Sequence, residues 1–130
     1  MTNPLLKGIE GVFIPVSNIK QSVQWYKDKL GFKLLYIEKE AGVMRLSNET
    51  VICLVHTPNH KPMIFPENHF GVGKYFNFNT SNIEKTYREL IERAVKVNSM
   101  DEEDQTKFFT FFDPDGNPLG VCQYGDSITG

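Results

Sequence analysis

The tripeptide Ser17-Asn18-Ile19 returns letter for letter, 64 positions later, as Ser81-Asn82-Ile83. Chance gives one shared tripeptide easily, but it seldom also gives matching periodicity downstream. After the first copy, Ile19, Val23, Tyr26 and Leu30 form one apolar helical stripe. After the second, Ile83, Tyr87, Leu90 and Ala94 keep the same spacing. Ser17 or Asn18 can cap the first helix, because a short side-chain oxygen accepts hydrogen bonds from first-turn N–H groups. Gly31 then supplies the left-handed residue that stops it. An internal duplication accounts for all of this.

The flanking segments repeat too. Residues 9–16, IEGVFIPV, read as a strand before the first helix, and residues 32–38, 42–46 and 50–56 read as three strands after it, with Ser47-Asn48-Glu49 turning between the last two. In the second half, residues 74–80 (KYFNFNT) alternate as a strand, and a short strand is expected at 95–98 after the second helix. The charged run DEEDQTK (101–107) reads as a loop. A hairpin closes the chain over 108–124, with Asp115-Gly116 as its reversing turn and Pro118 opening the returning strand. On that strand Leu119, Val121 and Gln123 face one side, and Gly120, Cys122 and Tyr124 the other. Module one thus spans about 8–57 and module two about 74–125, within one domain of 130 residues. The connection, about 57–73, is rich in Pro and Asn and holds or borders all three histidines, His56, His60 and His69.

With 14 Lys and Arg against 16 Asp and Glu, and no basic run, the chain has no electrostatic footprint for nucleic acid. No apolar run approaches the length of a membrane span, and MTNPLLKG does not read as a secretory signal, so a cytoplasmic location is expected. Cys53 and Cys122 both fall in strands. Free thiols suit that location, although a disulfide is compatible with the sequence.

IPVSNIKQSVQWYKDKLGFKL at 14–34 and FFDPDGNPLGV at 111–121 resemble the vicinal oxygen chelate superfamily, which includes glyoxalase I, fosfomycin-resistance transferases, extradiol dioxygenases and bleomycin-binding resistance proteins. The resemblance implies an α+β fold of two tandem βαβββ modules, a curved mixed sheet with a concave cleft, and a homodimer. It does not fix a chemistry, because one scaffold hosts several.

In metal-dependent members of the superfamily, four strand positions hold the ligands. The resemblance carries them to Gly11, Cys53, Tyr75 and Gly120. Divalent metals take imidazole, carboxylate or thiolate. Glycine offers no side chain, neutral phenol is a poor ligand, and a single thiol does not hold a catalytic ion. A slip of one residue brings in Glu10, but turns it to the opposite face. Pro58 separates His56 from His60, and two more prolines precede His69, so the loop histidines do not form a ligand cluster. No metal or cofactor is therefore expected. No phosphate loop or nucleophile elbow occurs. Asp113 and Asp115 read as turn residues.

What remains is a lined cleft. Alternation sets Phe13 and Pro15 beside Gly11, Asn77 and Asn79 beside Tyr75, and Cys122 and Tyr124 beside Gly120. The expected ligand-binding residues are Phe13, Arg45, Cys53, His56, Tyr75, Asn77, Phe111, Cys122 and Tyr124. Arg45 inside the cleft would favour an anionic ligand; outside, it would meet solvent. The leading reading is a protein that binds a small organic molecule. The alternatives are a glyoxalase-like lyase or dioxygenase with atypical ligands, and an accessory domain whose own Phe side chains fill the cleft.

Overall fold

The computed structural model describes residues 3–47, 49–59 and 61–123. The chain divides after Asn59 into two compact units. In the first, β1 (Gly11–Val16), α1 (Ile19–Leu30), β2 (Lys33–Ile37), β3 (Ala41–Arg45) and β4 (Val51–His56) follow one another. The sheet order is β1-β4-β3-β2, with β1 and β4 parallel and the other pairs antiparallel. Because side chains alternate across a strand, Ile14, Val16, Met44, Ile52 and Leu54 share one face, and all five are fully buried. Ile19, Val23 and Tyr26 of α1 are buried as well. A Cβ placed on Gly42 would lie 2.6 Å from Val23 Cγ2, so the helix rests directly on β3 there. Asn18 is the cap, its Oδ1 accepting from Gln21 N at 2.9 Å, and Gly31 ends the helix at φ 74°.

The second unit contains β5 (Asn77–Asn79), α2 (Ile83–Glu92), β6 (Lys96–Val97), β7 (Asp101–Glu103), β8 (Thr106–Phe112) and β9 (Pro118–Gln123). Its sheet order is β5-β9-β8-β6, with β7 also paired to β8. Phe109, Phe111, Leu119 and Val121 are buried with Ile83 and Leu90 of α2. Tyr87 meets Phe109 edge-on, with ring centroids 4.9 Å apart.

The duplication is visible in the register. Phe13 pairs with Cys53 and Cys53 with Val43; Asn77 pairs with Gly120 and Gly120 with Thr110. Each triplet runs from the first strand of its unit across the last strand to the one beside it. The mixed α+β architecture of the glyoxalase-like fold is thus present in both units.

Three segments depart from the sequence reading. Ala94 does not complete the second helical stripe: α2 stops at Glu92, and Ala94 is exposed at φ 62°. Val95 N donates to Leu90 O at 2.9 Å and Ala94 N to Ile91 O at 3.0 Å, a left-handed termination built on alanine. The run 101–107 is a hairpin rather than a loop, since β7 pairs with β8 through Asp104 and Gln105, both at positive φ. β5 is shorter than 74–80. Continued pairing would bring Tyr75 opposite Pro118, which has no N–H to give. Tyr75 instead packs on Phe65 at 5.0 Å.

The β8–β9 turn is a buried polar network. Asp113 Oδ1 accepts from Asp115 N and Asn117 N, both at 2.9 Å, and Asp113 Oδ2 accepts from Asn117 Nδ2 at 2.9 Å. Asn117, fully buried, accepts through Oδ1 from Met63 N at 2.9 Å, which fixes the loop before β5 to this turn. Among the described residues, no helix is long and apolar enough to cross a membrane.

Candidate functional site

In each unit one sheet face carries the helix and the other is open. Parity assigns Gly11, Phe13, Pro15, Val43, Arg45 and Cys53 to the open face of the first unit. Phe13 is 75% exposed there, Arg45 is exposed and Cys53 is half-buried. His56 has the opposite parity. It sits at the helix side of β4, its Nδ1 3.1 Å from Glu40 Oε2, where it lines a recess of about 480 Å³ together with Ser17, Ile19, Lys20 and Glu38. It is not brought together with Phe13 and Cys53.

In the second unit the open face carries Asn77, Asn79, Phe108, Thr110, Phe112, Pro118, Gly120 and Cys122. Cys122 is buried, and its Sγ lies 3.7 Å from Asn79 Oδ1. Phe111 is opposite in parity to Gly120. It pairs with Leu119, is 2% exposed and stacks on Phe78 with centroids 6.3 Å apart, so it belongs to the helix-side core and not to an open lining. Tyr75 precedes β5 and is 55% exposed. Tyr124 lies outside the described residues, as does His60.

A groove of about 600 Å³ runs over this second open face. Ile64, Lys74, Asp101, Phe108, Thr110 and Phe112 are among its lining residues. None of these six is among the ligand-binding residues expected from the sequence. The repeat itself holds a signal for Thr110 and Phe112, because the strand pairings that place Val43 and Arg45 place these two in turn. Lys74 has no such signal: its position depends on Gly120. A Cβ on Gly120 would fall 2.0 Å from Asn77 Oδ1, 2.2 Å from Lys74 Cε and 2.5 Å from Lys74 Cδ. The lysine stem therefore lies across the bare backbone of β9.

Both thiols are free, and burial pushes both above the ordinary thiol range. The Glu38 carboxylate adds to the shift at Cys53, whereas the Lys74 ammonium opposes it at Cys122. Neither is poised as a thiolate nucleophile at neutral pH.

Residues 8–121 match the family model of the Glyoxalase/Bleomycin resistance protein/Dioxygenase superfamily. The chain belongs to this superfamily. The Bacillus subtilis (strain 168) protein YraH is 29% identical over 115 residues, covering 82% of this chain and 90% of that protein. Among solved structures, the glyoxalase family protein from Enterococcus faecalis superposes with a TM-score of 0.76 at 24% identity, over 92% of this chain and 99% of that one. TnmS3, an antibiotic binding protein from Streptomyces sp. CB03234, gives a TM-score of 0.75 at 22% identity, over 95% and 100% of the two chains. These two likenesses establish the fold.

The four positions that serve as ligands in metal-dependent superfamily members do not fit a metal here. Gly11 stands where a Cβ would come 2.2 Å from the carbonyl oxygen of Val51, so the backbone of β4 occupies the space a ligand side chain needs. Gly120 is closed by Lys74 and Asn77. Cys53 offers a single thiol, and Tyr75 lies outside the strand. Among the described residues, no three His, Cys, Asp or Glu side chains group as metal ligands.

Proposed function

We propose that this superfamily member binds a small organic molecule on the open face of its second sheet, with no metal held at the four strand positions. The observation that carries the reading is steric. Gly11 and Gly120 do more than lack donors; the space beside each is taken, by backbone at one and by the Lys74 stem at the other. The groove has the volume of a small-ligand site and sets aromatic side chains, Phe108 and Phe112, among polar ones, Lys74, Asn98, Ser99, Asp101 and Thr110. An antibiotic-binding protein shares the fold, so the scaffold accommodates that use. We propose further that the protein acts in the cytoplasm as a homodimer.

The test is thermal. Any ligand of the native state raises the unfolding midpoint by mass action. Untagged protein is expected to melt at one temperature with chelator or with zinc, nickel, manganese or iron(II), and to shift upward with members of a small-molecule library. A saturable rise of several degrees with one metal would overturn the metal-free reading. Light scattering during gel filtration checks the dimer.

A further inference from the structure

We infer that the groove of the second unit selects a small planar aromatic acid, its carboxylate paired with the Lys74 ammonium; this deepens, and rests on, the binding reading above. Lys74 is half-buried, and its stem is laid on Gly120 instead of extending into solvent. Among the described residues it forms no ion pair. Its field nevertheless reaches the sheet, since it is the group that draws the Cys122 thiol downward against burial. A cation held in this way against the sheet, partly withdrawn from water, interacts more strongly with an anion than a solvated surface lysine does.

The rest of the face supplies the ring. Phe108 and Phe112 lie on the same side of β8, four residues apart, hence about 13 Å along the strand. Thr110 stands between them, beside Gly120. That gap admits one aromatic ring system over Thr110, bracketed by two phenyl groups. The two ends differ in charge. Lys96 Nζ lies 5.2 Å from the centroid of Phe112, and Asp101 pairs with Phe108 at the other end. An acid therefore points away from Asp101, and a hydroxyl or amino group across the ring can donate to it. A neutral ring would leave the Lys74 charge covered and unpaired, and a cation would face it directly.

Isothermal titration of the full-length protein with benzoate, 4-hydroxybenzoate, benzamide and benzylamine tests this. Benzoate is expected to bind at one site, with benzamide weaker by about tenfold or more, the scale of one charge-assisted hydrogen bond. 4-Hydroxybenzoate should exceed benzoate, and Asp101→Asn should reduce that margin. Lys74→Met should abolish the acid-over-amide preference, and Lys74→Arg should retain it. Equal binding of benzoate and benzamide, or a preference that survives Lys74→Met in a folded variant, would overturn the inference. If neutral aromatics bind without regard to Lys74, the acid selectivity fails and the binding function stands. If no small molecule binds at all, the binding function itself fails.

Discussion

The two units repeat one backbone and present two different open faces. In the first, the triplet across β1, β4 and β3 is Phe13, Cys53 and Val43; in the second, across β5, β9 and β8, it is Asn77, Gly120 and Thr110. The first triplet is apolar with an exposed phenyl ring. The other has amide, hydroxyl and bare backbone with a lysine stem laid across it. The same divergence occurs behind the sheets. Gln123 in the second unit accepts from Ile83 N at 2.7 Å and donates to Ser81 O at 2.9 Å, stitching the last strand to the start of α2. His56 ends the corresponding strand of the first unit and turns to Glu40 instead. Duplicated backbone pairing is thus compatible with wide freedom in side chains, because the ladder is made by main-chain groups that every residue but proline possesses.

The largest effect expected within this comparison belongs to the turn before β9. Asp113→Ala strips the acceptors from the buried Asn117 N–H, the part-buried Asp115 N–H and Asn117 Nδ2, and should cost about 3 kcal/mol in urea unfolding. The glycines come next and separate the two faces. Gly11→Ala meets the Val51 carbonyl and should cost about 2–3 kcal/mol, whereas Gly120→Ala meets side chains that can rotate away and should cost about 1 kcal/mol or less. Equal costs would mean that the two positions are closed in the same way.

Gln123→Ala should destabilise by about 1–2 kcal/mol, since it leaves Ile83 N and Ser81 O unpaired. His56→Ala, which removes one exposed side-chain contact to Glu40, should stay within about 0.5 kcal/mol. Ala94→Gly should stabilise the protein by about 0.5–1 kcal/mol, because a left-handed residue without a Cβ carries no steric penalty. The smallest effect concerns the thiols. Both are raised, so at any given pH each holds less thiolate than a free cysteine. Iodoacetamide labelling of Cys53 and Cys122 should be slow at pH 7 and accelerate only above the ordinary thiol range. Rapid labelling of either at neutral pH would contradict its environment.

The fold was legible because repeat, cap and turn are each local. Asn18 and Asn82 cap, Gly31 stops, and Asp113 through Asn117 reverse the chain, each for reasons carried by a few adjacent residues. Ala94 was hidden because alanine ordinarily extends a helix and nothing beside it announces a left-handed turn. The β7–β8 hairpin was hidden because acidic residues are poor strand formers, and Asp104-Gln105 lacks the glycine that usually marks such a turn. The open faces were half legible. Alternation correctly set Asn77 and Asn79 on one side, and Gly120 with Cys122. Phe111 could not be assigned until the turn's length fixed its pairing with Leu119. Lys74 was beyond reach, since its place is set by a glycine distant in sequence.

The bond from Met63 N to Asn117 has a consequence for how the protein comes into being. Its partners are 54 residues apart, and the later one belongs to the final turn of the described chain. On the ribosome the segment carrying Ile64 is therefore made long before the residue that holds it. Closing so long a span is entropically slow, so this wall of the groove stays unanchored until the closing hairpin forms. The groove is then completed last, and a chain cut short before Asn117 lacks the anchor for that wall.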